Sequence, residues 1–135
     1  MDIVKKFIDA DRFAKHLDIE MIDYDRGKAR ARMAIRDHHL NSAGTVHGGA
    51  IFSLADAAFS VASNSHGTLA MAINVSISYF KAVKGGTLIA EAEEVSLNPK
   101  LATYLIPVFD EQGNRIAQFQ GTVYRKKESI EDMVR

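Results

Sequence analysis

The chain has 135 residues, 17 basic and 17 acidic side chains, and no cysteine. That length suits one domain with a real core, spanning residues 1–135, and not two. Zero formal charge withholds the broad attraction that a nucleic-acid binder needs, and without thiols there is neither a disulfide framework nor thiolate chemistry.

Residues 2 to about 17 place Ile3, Val4, Phe7, Phe13, Ala14 and Leu17 at helical spacing among charges. This predicts an amphipathic helix, interrupted near Asp9-Ala10-Asp11, ahead of a core over about 18–126. No long apolar run follows the amino terminus and none approaches the roughly 20 residues of a membrane span, so a cytoplasmic protein without a secretory signal or membrane partner is expected. Residues 21–24 and 28–35 flank Asp25-Arg26-Gly27, and in the second run Ala29, Ala31, Met33 and Ile35 alternate with Lys28, Arg30, Arg32 and Ala34. That pattern predicts a hairpin with one solvated face. Residues 37–45 are polar and form a loop.

A long helix follows from Gly48 or Gly49 to Ser65, with Gly67 as its stop. From Leu69 the period changes to two, placing Leu69, Met71, Ile73, Val75, Ile77 and Tyr79 on one face. Further strands fit 87–97, 101–109 and 115–125, and the last four strands are expected as a meander. Pro107 removes a ladder donor and predicts a bulge or an edge. The fold class expected is α+β, one buried helix against a strongly curved antiparallel sheet. Strand faces rich in Ala, Ser and Thr bury little apolar area, which suggests that dimerisation completes the packing.

The helix carries the chemistry. Ile51, Leu54, Ala55, Ala58, Val61 and Ala62 fall on one apolar arc, while Ser53, Asp56, Ser60 and Asn64 gather opposite, with Phe52 and Phe59 beside them. Either this is an ordinary amphipathic helix or the polar stripe is a pocket wall. A solvated helix of this length normally carries Lys, Arg or Glu, and here Asp56 is the only charge. Burial raises the pKa of such a carboxylate and suits it to act as a general base or nucleophile. Ser60, one turn later, either orients that chemistry or bonds back to its own helix. The Val46-His47-Gly48-Gly49 turn supplies free N–H groups at the helix start, where an oxyanion would be stabilised. Eight residues of helix put Asp56 roughly 12 Å from Gly48 along the axis, too far to grip one carbon, so a site shared between antiparallel partner helices is expected. His47 is either a structural tie or a substrate contact, and Asn41 bonds either its own loop or the substrate. No three-ligand metal cluster is visible among the histidines.

These residues resemble the acyl-CoA thioesterases of the hotdog fold, specifically the phenylacetate-degradation thioesterase group. The likeness rests on Asn41, His47-Gly48-Gly49, Phe52-Ser53-Leu54-Ala55-Asp56, Asn64-Ser65, Tyr79-Phe80 and Gly121-Thr122-Val123-Tyr124. It implies a long helix wrapped by the sheet, homodimers joined edge to edge, and a dimer of dimers. It also implies hydrolysis of acyl-CoA, with aromatic acyl groups first and medium chains next; a non-catalytic acyl-CoA binder is the alternative. By resemblance Gly48 polarises the carbonyl, Asp56 of the other subunit attacks or activates water, and Asn41 and Ser60 position water or substrate. His47, Gly49, Phe52, Phe59 and Asn64 are candidate substrate contacts. Lys81, Lys84, Lys100 and residues 125–127 are candidates for the CoA phosphates. No metal or cofactor is implied, coenzyme A being part of the substrate.

Overall fold

The amino-terminal pattern folds into two short helices, α1 (Asp2–Asp9) and α2 (Arg12–His16), and the computed structural model describes residues 2–134. Asp11 makes the break: its backbone is extended and its carboxylate accepts the Ala14 N–H at 3.0 Å, capping α2. Six strands follow, β1 (Ile19–Asp25), β2 (Lys28–Ala34), β3 (Thr68–Tyr79), β4 (Thr87–Leu97), β5 (Leu101–Phe109) and β6 (Arg115–Ser129). The helix α3 (Gly48–Asn64) lies between β2 and β3 in sequence, and α4 (Glu131–Val134) ends the described chain. In β2 the expected alternation holds, with Ala29, Ala31 and Met33 buried against α3.

All neighbouring strands are antiparallel, in the order β1-β2-β4-β5-β6-β3. The expected four-strand meander is therefore corrected: β4, β5 and β6 form one, but β3 leaves it and pairs with the far side of β6. Residues 80–86 make the crossing possible, since seven extended residues reach roughly 24 Å and three strand spacings need roughly 14 Å.

The expectation of a strongly curved sheet is also corrected. The six strands make an open sheet whose two edges, β1 and β3, do not pair with one another. Closure around α3 is unnecessary because the sheet covers one side of the helix and α1 and α2 pack beside it. Among the described residues no helix is long and apolar enough to cross a membrane.

Two details of register depart from simple alternation. Ala72 opposes Val123, whereas Asn74 opposes Thr122, so one extra residue, Ile73, bulges from β3. The bulge exchanges faces. Met71 pairs with the exposed Tyr124, while Val75, Ile77 and Tyr79 oppose the buried Gly121, Phe119 and Ala117. Leu69 to Tyr79 thus do not share one face. Pro107 lies in β5, which is interior and not an edge, opposite Gln118 of β6. Its missing donor falls where the β4–β5 ladder lapses, between the Ala90–Val108 and Glu93–Leu105 pairs.

The core sits between α3 and the inner sheet face. Phe59 is 2% exposed and meets Tyr104 and Phe119 with ring centroids 5.8 and 5.4 Å away. Gly121 gives this ring its room, since a Cβ there would lie 2.6 Å from the Phe59 Cζ. Gly121→Ala is expected to lose about 1–3 kcal/mol by overpacking, read as a lower urea midpoint at unchanged slope.

Candidate active site

The start of α3 is built by a tight, self-bonded turn. Asn41 Oδ1 accepts the N–H groups of Ala43 and Thr45 at 3.0 and 3.1 Å, and its Nδ2 donates to Thr45 Oγ1 at 3.0 Å. Of the two alternatives for Asn41, the loop contact is the one formed. The Val46 N–H donates to the Val83 carbonyl at 2.8 Å and the His47 N–H to the His39 carbonyl at 2.7 Å, which sets the turn against two neighbours. His47 then caps the helix, its Nδ1 accepting the Gly49 N–H at 2.8 Å. Its carbonyl accepts from Ala50 and Ile51 at 2.9 and 3.2 Å.

Those bonds occupy the first-turn donors with one exception. Among the described residues, the Gly48 N–H meets no acceptor. It borders a cavity of about 290 Å³ lined by Thr45, Val46, Ile51, Tyr79, Phe80 and Lys81. Tyr79 reaches across and donates its hydroxyl to the Gly48 carbonyl at 2.9 Å, while the tyrosine ring stands 3.3 Å from where a Gly48 Cβ would be. A side chain at this position would make the tyrosine ring give by a few tenths of an ångström. The position is at once a helix end, an open donor and a cavity wall.

Along α3 the half-buried or exposed residues are Gly48, Gly49, Phe52, Ser53, Asp56 and Ser60, a single stripe at helical spacing. The polar side chains of this helix differ in what they are committed to. Ser53 donates to the Gly49 carbonyl at 2.7 Å and Ser63 to the Ser60 carbonyl at 3.2 Å. Asn64, 2% exposed, donates to the carbonyls of Ser60 and Ala70 and accepts the Ala70 N–H at 2.9 Å. That amide ties α3 to β3. Phe59 likewise packs in the core, whereas Phe52 stays half-buried at the edge of Phe119.

Asp56 and Ser60 remain. Among the described residues neither the Asp56 carboxylate nor the Ser60 hydroxyl has a hydrogen-bond or ion-pair partner. Burial pushes the Asp56 carboxyl above its ordinary value, and the nearby Asp11 carboxylate pushes it further the same way. Asp11 was not expected at the site. It stands 45 positions away in sequence, and its visible signal was only a helix break. Tyr79 is expected on a strand face and in the resemblance, but not as a partner of Gly48.

Lys81 lines the Gly48 cavity and lies 3.9 Å from Asp110, while Lys84 is exposed and outside that lining. Asp18, His38 and His39 come together at the start of the same loop. His39 has no lone pair to offer there, because Nδ1 accepts the Arg36 N–H at 2.9 Å and Nε2 donates to the Leu17 carbonyl at 2.7 Å.

The family described as the thioesterase superfamily matches residues 43–117. A protein of Archaeoglobus fulgidus, provisionally named an esterase, is 50% identical over 121 residues, covering 89% of this chain and 79% of that protein. The Escherichia coli acyl-coenzyme A thioesterase PaaI is 35% identical over 116 residues, covering 85% of this chain and 83% of that one. Among solved structures, the E. coli PaaI protein from the phenylacetic acid degradation operon superposes with a TM-score of 0.91 at 32% identity, covering 95% of this chain and 94% of that chain.

The raised carboxyl has a thermodynamic consequence. The native state holds the Asp56 proton more tightly than the unfolded chain does, so this group's contribution to stability falls as pH rises from the ordinary carboxylate range through the raised value. Asp56→Asn is therefore expected to be more stable than the parent at neutral pH, with the difference closing below about pH 4 in urea titrations. Asp11→Asn keeps a good helix cap and should lower the Asp56 midpoint in a carbon-detected NMR titration.

Proposed function

The chain belongs to the thioesterase superfamily, and from that premise we propose that it hydrolyses acyl-CoA thioesters to free acid and CoA, with phenylacetyl-CoA-like aromatic acyl groups as its substrates. The observation that carries this reading is the pair of unpartnered groups on α3: an N–H donor at Gly48 and a desolvated carboxylate at Asp56. The first suits the oxyanion of a tetrahedral intermediate, and the second suits proton abstraction or direct attack. The aromatic acyl group is favoured by the relatedness to PaaI of the phenylacetic acid degradation operon, and medium-chain acyl groups come next.

In the general-base route the carboxylate takes a proton from water as the water oxygen bonds to the thioester carbon. The negative charge formed on the carbonyl oxygen is met by the Gly48 N–H and the positive end of α3. Collapse breaks the C–S bond, and CoA leaves as a thiolate that is then protonated. In the nucleophilic route the carboxylate itself bonds to carbon and water cleaves the resulting anhydride. Ser60, with its hydroxyl free one turn beyond Asp56, suits orientation of that water. Lys81, beside the Gly48 cavity, suits a contact to the CoA arm. The reaction asks for water and no redox or group-carrying cofactor.

The two working groups belong to different subunits. About 12 Å of helix axis separates Gly48 from Asp56 in one chain, and a twofold axis running two α3 helices antiparallel brings each Asp56 to Gly48 of the partner subunit. The edge strand β3 supports such a dimer. Met71, Ile73 and Tyr79 on it are 51%, 60% and 49% exposed, and a long apolar edge is a template for pairing. On the outer face Met71, Tyr124 and Leu101 are side by side and 40–51% exposed, which supports further association into a dimer of dimers.

Asp56→Asn should reduce turnover of phenylacetyl-CoA by about 100-fold or more while binding of free CoA is retained. Unchanged hydrolysis would remove Asp56 from the mechanism and leave an acyl-CoA binder. Gly48→Pro deletes the N–H at the first helical position, which proline suits once the Tyr79 ring gives slightly, and should be similarly impaired. Equal mixing of the two inactive variants after subunit exchange should restore about a quarter of parental activity, because half the dimers carry one intact site. Absence of any recovery, with mixed dimers demonstrated by mass spectrometry, would place both groups in one subunit's site.

A further inference from the structure

A second cavity, about 340 Å³, opens where α1 and α2 lie over α3. Its floor is apolar: Phe7 and Ile8 from α1, Ala14 from α2, Ile19 and Met21 from β1, and Ala57 and Val61 from α3. Ser60 is on the same wall, one helical turn from Asp56, and Asp11 lines the cavity while standing close enough to raise the Asp56 carboxyl. The cavity therefore lies along α3 just beyond Asp56, on the side away from the Gly48 turn. The exposed side chains Lys5, Asp9, Lys15 and Glu20 complete the lining, Lys5 and Asp9 being an ion pair at 2.7 Å.

Stability alone does not account for the segment that makes this space. α1 is anchored by Val4, which is 1% exposed. α2, by contrast, buries none of its five residues, and its Phe13 is 63% exposed. A helix that buries so little adds little to folding free energy. What α2 does contribute is a wall. An apolar pocket with one hydroxyl and a neighbouring carboxylate matches the acyl half of a thioester, with an apolar tail and a reacting carbon at its head. The charged side chains Lys5, Asp9, Lys15 and Glu20 stand at the exposed rim, so the acyl tail is matched by the apolar floor.

Resting on the thioesterase reading above, we propose that α1 and α2 of the subunit donating Asp56 form the acyl-group pocket, and that Ile8, Ala14 and Met21 set the size of acyl group accepted. The amino-terminal segment is then a specificity element laid over a catalytic helix. Asp11, between its two helices, is a positioning residue: it fixes α2 through the cap and stands beside Asp56.

The test is a substrate profile. kcat/KM is measured with acetyl-, butyryl-, hexanoyl-, octanoyl- and phenylacetyl-CoA for the parent protein, Ala14→Phe, Ile8→Ala and Asp56→Asn. Filling the pocket with Ala14→Phe should lower the phenylacetyl-to-acetyl and hexanoyl-to-acetyl ratios by about tenfold or more. Enlarging it with Ile8→Ala should move the optimum toward octanoyl-CoA. A common factor on every substrate, or an unchanged profile in folded variants, overturns the assignment. Should Ala14→Phe fail to fold by circular dichroism, the Ile8→Ala profile alone decides it in the same way. Loss of turnover in Asp56→Asn together with unshifted profiles leaves the thioesterase mechanism standing and removes only the pocket. A parent protein inert toward the whole series removes both.

Discussion

A helix of 17 residues with a single ionisable side chain is stable in water only when most of its surface is covered. The chain meets that constraint from two directions. The inner faces of β2, β4, β5 and β6 cover the arc of Leu54, Ala55, Ala58 and Ala62, each 0% exposed. The segment before β1 approaches from another side, and the strip left between them contains Asp56 and Ser60. The site is thus the remainder of a packing problem. A carboxylate sits there because it is the one place on α3 where a charge is neither in the core nor in bulk water.

The two ends of α3 are treated differently, and the difference matters for catalysis. At the carboxyl end Asn64 bonds across to Ala70, Ser65 Oγ accepts the Gly27 N–H at 2.8 Å, and His66 meets Glu94 at 2.8 Å. Glu94 also accepts from the Tyr104 hydroxyl at 2.7 Å, and burial pushes that phenol's pKa upward. Asn64, Ser65 and His66 are thus each locked to another element. At the amino end the side-chain cap takes one donor, the His47 carbonyl holds the next two, and one donor is left over. Pinning one end fixes where the free donor points at the other. A donor held in place before substrate arrives loses no reorganisation energy when charge develops.

Much of this was visible in the chain itself. The hairpin, the polar loop, the extent of α3 and the break at Asp11 follow from local spacing and capping, which act over a few residues. The position of β3 does not, because its partner β6 begins 36 residues after it ends and no local rule selects that edge over β4. The roles of Phe59 and Asn64 were hidden for a related reason. Helical phase placed both near the polar stripe, but whether a side chain at the stripe's border turns inward depends on what the sheet offers. Gly121 offers room to the ring, and Ala70 offers a matched backbone pair to the amide. Asp56 and Gly48 were recognisable because their peculiarity is intrinsic: a lone charge in an apolar helix and a glycine at its start.

The bulge at Ile73 divides β3 into two halves of opposite phase. Before it, the side chain directed to the outer face is Met71; beyond it, Val75 and Ile77 turn to the inner one. Residues of like character therefore serve different neighbours within a single strand, and substitutions in one half leave the other's packing untouched. Such a strand has two independently adjustable surfaces, so that drift in how copies of the chain associate need not be matched by drift in the core.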